Sequence, residues 1–257
     1  MRFVLGAMLV IAAMAASSAR AQESVDPLDA LVRAYPEALA GRSGNAILFR
    51  DGTRLDAGKA DTGVPFEQLL TQASIRDMFL IAYPAGTPSQ PPVENFDPGR
   101  FRNKAFFDYL YGDCRRDEVR RNLVSLVWLP KTWGRKIEVT RINGVDAQLR
   151  QVSAEIDALP LEIKRAAYPV AGTYACRGVA DNGQPSMHAY GAAIDLNLAY
   201  SDYWLWDAGK KTRQIPYRNR MPPAIVAIFR RHGFIWGGAW YHYDTMHFEY
   251  RPELLVR

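Results

Sequence analysis

Ser186-Met187-His188-Ala189-Tyr190-Gly191-Ala192-Ala193-Ile194-Asp195 sets a histidine and an aspartate seven residues apart, with a glycine between them. The residues from Ala193 to Leu198 alternate. Ile194, Leu196 and Leu198 fall on one face, and Ala193, Asp195 and Asn197 on the other, which predicts a strand that projects Asp195 opposite its apolar side. Gly191 provides a turn that can fold His188 back towards Asp195. A second alternating stretch, Trp240 to Tyr250, carries Asp244-Thr245-Met246-His247-Phe248-Glu249. On it His247 and Glu249 share one face, and Met246, Phe248 and Tyr250 share the other.

A single histidine on a strand carries little weight as a ligand. Two imidazoles and one carboxylate together can close three sides of a tetrahedral zinc site and leave the fourth open to water. Such a centre needs a non-ligand carboxylate as general base. Asp244 fits, being close to His247 but offset from its face. It also needs a donor for the charge that develops on the carbonyl oxygen, and Arg177, just before the loop leading to His188, is the candidate. Glu249 is placed to orient a ligand from behind. No Gly-x-Ser-x-Gly elbow occurs, which disfavours a Ser/His/Asp hydrolase.

The pattern Ser186-x-His188-x-x-Gly191-x-Ala193-x-Asp195, followed by Asp244-x-x-His247-Phe248-Glu249, resembles the zinc D-alanyl-D-alanine carboxypeptidase family, which includes VanY-type carboxypeptidases, D-Ala-D-Ala dipeptidases and endolysin L-alanyl-D-glutamate peptidases. The resemblance covers roughly residues 172–254 and includes Gly233-Phe234-Ile235-Trp236-Gly237-Gly238. It implies His188, Asp195 and His247 as zinc ligands, one ion per chain, Asp244 as base, Arg177 as the residue that stabilises the intermediate, and Ser186 as a substrate contact. An aspartate at position 244 points away from the dipeptidases. The implied fold is α+β, a small mixed or antiparallel sheet with flanking helices, as in the zinc domain of hedgehog proteins. The implied substrate is a peptidoglycan stem peptide. The expected activity is D-Ala-D-Ala carboxypeptidase. An L-Ala-D-Glu endopeptidase and a non-catalytic zinc-bearing wall-binding module stand as alternatives, and an intact Asp244 argues against the latter.

The remainder of the chain frames this reading. Met1-Arg2, the apolar run Phe3 to Ala16 and Ala19-Arg20-Ala21 have the form of a signal peptide over residues 1–21. The run is too short for a comfortable membrane span. Loss of Arg2 and Arg20 takes the net charge from +5 to +3. The basic residues form no stripe, so no nucleic-acid partner is expected. The protein is expected as a monomer in the periplasm or outside the cell, with no stable membrane span. In such a compartment its two cysteines, Cys114 and Cys176, can form a disulfide or stay as separate thiols.

The predicted order begins with a helix over residues 26–40, open to a kink or end at Pro36, and a hairpin around Asp51-Gly52. Phe66 to Tyr83 is partly helical and Pro84 to Pro98 is loop. A helix with an aromatic face lies within 100–111. Strands at 124–129 and 137–142 precede a helix through Val145, Leu149, Val152, Ile156 and Leu159, ended by Pro160. Residues 172–177 are strand-like, and a last helix starts at Met221-Pro222-Pro223 and runs through Arg231, with Gly233 as its cap. Residues 22–123 are expected as an N-terminal α/β extension packed on a peptidase domain at 124–257. His242 is assigned to packing or to the surface rather than to catalysis, and His232 to a structural place at a helix end.

Overall fold

The computed structural model describes residues 26–88, 90–208 and 216–256; the expected signal peptide lies outside them. The fold is α+β, with small antiparallel sheets among short helices. Helix α1 (Pro27–Ala34) is capped by Asp26, whose Oδ1 accepts from the Leu28 amide at 2.8 Å. It ends six residues before Ala40, where the expected helix would have ended. Tyr35 precedes Pro36, and the proline ring disfavours helical backbone there; Tyr35 has φ −126° and ψ 58°. The chain then enters β1 (Leu39–Ser43), a strand the sequence reading missed, which pairs with β2 (Ala46–Phe49); β3 (Arg54–Asp56) completes that sheet.

Helix α2 (Phe66–Gln72) and helix α3 (Lys104–Tyr111) follow. Asn103 caps α3 through the Phe106 amide at 2.8 Å, and Phe106, Phe107, Leu110 and Tyr111 are buried. Strands β4 (Leu123–Trp128) and β5 (Arg135–Thr140) form a hairpin. Helix α4 (Val145–Asp157) lays Leu149, Val152 and Ile156 into the core, and α5 (Leu161–Lys164) starts after Pro160. The final elements are β6 (Ala193–Asp195), α6 (Trp204–Ala208), α7 (Pro223–Arg231), β7 (Phe234–Trp236) and β8 (His247–Tyr250).

Strands β6, β8 and β7 form one antiparallel sheet in that spatial order. Its apolar face holds Ile194, Phe248 and Trp236, which are in register. Phe248 stacks on Phe229 of α7 with ring centroids 4.0 Å apart. Each such buried side chain contributes roughly 1.5–3 kcal/mol of transfer free energy before entropy is counted. One apolar cluster takes in Leu28 and Tyr35, Phe106 and Phe107, Leu149, Ile235 and Phe248. Cys114 and Cys176 are joined by a disulfide with Cα atoms 5.7 Å apart. No helix among the described residues is long and apolar enough to cross a membrane.

Three expected strands are shorter than their alternation implies, or absent. Residues 172–177 form only the isolated bridge Gly172–Asp195. Their backbone groups serve His188 instead of a ladder: the Ala175 amide bonds the His188 carbonyl, and the Thr173 carbonyl takes the His188 ring. Strand β6 stops at Asp195, because Asn197 turns its side chain onto the Arg165 and Tyr168 carbonyls and caps the turn at Leu198. Leu198 is therefore 50% exposed, not on the buried face with Ile194. Of residues 240–250 only the last four are strand. The preceding loop is tied elsewhere, with the Trp240 indole N–H on the Pro98 carbonyl and the Asp244 amide on the Gly237 carbonyl.

Candidate metal centre and cleft

Register brings the first two functional side chains together. Asp195 of β6 lies directly opposite His247 of β8. Paired residues on antiparallel strands project to the same face, with Cβ atoms about 4.5–5.5 Å apart. Glu249, two residues further along β8, shares that face and lies opposite Ala193, whose small side chain leaves the carboxylate room. His188 arrives from a separate element, the 3-10 turn Met187–Tyr190, whose N-cap is Ser186. The turn closes at Gly191, which has φ +67°; a Cβ there would lie 3.0 Å from the Thr140 amide nitrogen. Only glycine fits both the backbone angle and the space.

The three donor atoms form a near-equilateral triangle. His188 Nε2 lies 3.1 Å from Asp195 Oδ1 and 3.2 Å from His247 Nδ1, and the latter lies 3.0 Å from Asp195 Oδ1. Ligands about 2.0–2.1 Å from a tetrahedral zinc ion stand about 3.3–3.4 Å apart. The observed edges come within a few tenths of an ångström of that. Both rings are turned to present lone pairs. His188 gives its Nδ1 proton to the Thr173 carbonyl at 2.5 Å, which frees Nε2. His247 gives its Nε2 proton to Glu249 Oε2 at 2.9 Å, which frees Nδ1. A partner on the distal nitrogen is what orients a metal-binding imidazole. The residues present therefore fit a zinc ion or a similar divalent cation.

Electrostatics say the same. Burial opposes charge on His247, but hydrogen bonds to Asp195 and Glu249 outweigh it and push the ring up to about 10. Burial would raise Asp195, yet the flanking His188 and His247 hold it well below the usual carboxylate range. Glu249 is likewise held low against burial, by Arg102, His247 and Arg251. The cluster favours positive charge at its centre. Asp244 behaves oppositely: burial and then the Asp195 charge push it up to about 7, against the pull of His247, Arg100 and Arg177. Its Oδ1 is buried and makes no hydrogen bond.

The cluster opens on a cavity of about 370 Å³. Ser186, Arg177, Asp244 and Tyr203 line it together with the three donors, as do Arg100 and Arg102. Asp244 is held from two sides, by its amide on the Gly237 carbonyl at 3.1 Å and by a bridge to Tyr203. A Cβ on residue 237 would meet the Asp244 carbonyl at 2.6 Å, so glycine there allows the loop its approach. Arg177 is exposed, and its Nη1 reaches its neighbour, the Gly178 carbonyl, at 3.5 Å. The Ser186 hydroxyl faces its own turn and accepts from the His188 amide at 3.3 Å.

His242 is packed, one of the two places assigned to it. Its Nδ1 sits 2.6 Å from Asp97 Oδ2, and its ring stacks on Phe66. His232 pairs with Glu155 and Gln148, both on α4. The sequence reading missed Asp97, Arg100 and Arg102, all from the stretch before α3. No periodicity or spacing marks them; only the density of Asp and Arg around Pro98-Gly99 hints at more than a loop. It also missed Trp206, which lines the cavity and is 53% exposed.

Among comparisons with known proteins, no curated protein and no solved structure matches the chain. A family model described as D-alanyl-D-alanine carboxypeptidase matches residues 180–250. That span contains Ser186, His188, Asp195, Asp244, His247 and Glu249, and leaves Arg100, Arg102 and Arg177 outside. In the residues it matches and in its His–Asp–His donor triangle, the chain is similar to the D-alanyl-D-alanine carboxypeptidase family of peptidases.

Proposed function

We propose that the chain is an exported zinc-dependent peptidase that removes the terminal D-alanine from peptidoglycan stem peptides. The observation that carries the reading is the donor triangle of His188, Asp195 and His247, with an unpartnered Asp244 Oδ1 in the same cavity. When bound, zinc supplies a Lewis acid that polarises the scissile carbonyl and makes water a nucleophile near neutral pH.

The chain's own residues supply the rest. Asp244, poised near neutrality, takes the proton of the attacking water at its free Oδ1 and returns it to the leaving amine. Arg177, a guanidinium whose contact within the fold is a long one to its own neighbour, receives the charge that develops on the carbonyl oxygen. Ser186 holds the His188 turn through its cap and lines the cavity, where its hydroxyl meets the substrate. The leader-like first residues and the Cys114–Cys176 disulfide support export to an oxidising compartment.

The test is digestion of purified sacculi with mass spectrometry of the released muropeptides. Loss of one alanine residue from pentapeptide stems supports the carboxypeptidase. Cleavage between L-Ala and D-Glu supports the endopeptidase of the same family. Tight sacculus binding with no product would overturn the peptidase reading in favour of a wall-binding module.

A further inference from the structure

The stretch from Phe96 to Arg102, outside the family match, is woven under the metal cluster. The Phe96 carbonyl takes the Tyr241 amide at 2.9 Å, Asp97 Oδ1 takes the His242 amide at 3.0 Å, and the Pro98 carbonyl takes the Trp240 indole at 2.7 Å. The Gly99 carbonyl takes Arg251 Nη1 at 2.7 Å. Gly99 has φ +92°, and a Cβ there would lie 2.5 Å from Ile235 Cδ1, so the strap lies flat against β7. At its end Arg102 Nη2 donates to Glu249 Oε2 at 2.5 Å, the same oxygen that accepts from His247 Nε2.

We infer that Arg102 is a positioning residue for the metal centre, acting through Glu249 on His247; this rests on the metal reading above. Glu249 is completely buried, and both its oxygens are engaged. Oε1 is held by Arg251 Nη1 at 3.2 Å, and Arg251 is held in turn by Glu253, which also takes the Tyr35 hydroxyl at 2.6 Å. Arg102 fixes the other oxygen. With Oε2 pinned, the His247 ring can meet it in one orientation only, the one that aims Nδ1 at Asp195 and His188. Removing Arg102 leaves Oε2 free to swing about the Oε1 contact, and the ring loses its stop. Packing does not explain the residue. Arg102 Nε is buried without a partner, an uncompensated loss of hydration, and an apolar side chain of that size would fill the space without it.

The experiment measures zinc affinity of the full chain by competition with a chromogenic chelator, with Co2+ absorption as a report on ligand geometry. The variants are Arg102→Met, Arg102→Gln, Arg102→Lys, Glu249→Gln and the Arg102→Met/Glu249→Gln pair. Arg102→Met is expected to weaken zinc about 10–100-fold, as loss of an outer partner does. Arg102→Lys restores most of it. The pair is expected to bind no more weakly than Glu249→Gln alone, because both changes act on one contact. Arg102→Gln keeps a donor without the charge, and carries the same comparison should the methionine variant not fold. Wild type that binds no zinc overturns the metal reading and this role together. Wild type that binds zinc while Arg102→Met and Arg102→Gln match it, or losses that add in the pair, overturn the role of Arg102 alone.

Discussion

The charge of Asp195 acts on Asp244: together with burial it pushes the Asp244 carboxyl up to about 7 while Asp195 itself stays ionised. In the metal-free chain this has a defined sign. An unfolded aspartate titrates near 3.9. Between about pH 4 and about pH 7 the folded state therefore keeps a proton that the unfolded state has lost, and stability falls as pH rises through that window. Above it the cost is complete, on the order of a few kcal/mol. Asp244→Asn removes the cost. Chelator-treated Asp244→Asn should melt higher than wild type at pH 8, and the difference should shrink towards pH 4. The same variant should bind zinc and lose hydrolysis of sacculi, by at least about 100-fold for a missing general base. Equal melting temperatures at pH 8 would show that Asp244 is not a buried, strained acid.

Gly191 joins the His188 turn to β6 at a point where no other residue fits. Its φ of +67° disfavours a side chain, and the Thr140 amide and Leu123 Cδ2 lie where a Cβ would go, at 3.0 and 2.9 Å. The Gly191 carbonyl also takes the Thr140 amide at 2.9 Å, so the backbone cannot swing away without losing that bond. Gly191→Ala should destabilise the fold by about 1–3 kcal/mol and weaken zinc binding, since His188 sits three residues before it. Chemical denaturation with and without zinc measures both effects. An alanine variant with wild-type stability would mean the turn relaxes more easily than the packing around it suggests.

The three metal donors were readable because their spacing is local and periodic. Asp195, His247 and Glu249 sit at alternate positions on strands, and His188 precedes one of those strands by a single glycine turn. Strand register then does the rest. The Arg102–Glu249 contact spans 147 residues of sequence and joins an aperiodic loop to a strand, so no local pattern could reveal it. Strand β1 was hidden differently. Leu28, Leu31, Tyr35 and Leu39 keep helical spacing, and only the backbone constraint of Pro36 on Tyr35 breaks the helix before Leu39. Asn197 misled in the same manner, fitting the alternation while its side chain bonded away from the ladder.

Cys176 precedes Arg177, and the disulfide to Cys114 anchors that part of the chain beside α3. The bridge closes a loop over a sequence separation of 62 residues. Opening such a loop costs about 2–4 kcal/mol of stability through the unfolded state. It should also loosen the Arg177 segment, whose backbone is then held by the Gly178–Pro185 bridge and by hydrogen bonds to Ser186 and His188. The Cys114→Ser/Cys176→Ser pair should therefore unfold at lower denaturant and keep its zinc, because none of the three donors lies in the loosened segment. Turnover should fall with little change in KM, since Arg177 acts on charge that develops only in the transition state. Arg177→Met should show the same split, a loss of about 100–1000-fold in kcat, without the loss of stability. Comparing the two variants separates the anchor from the guanidinium. If the serine pair loses stability but turns over like wild type, the segment holds Arg177 in place without the bridge.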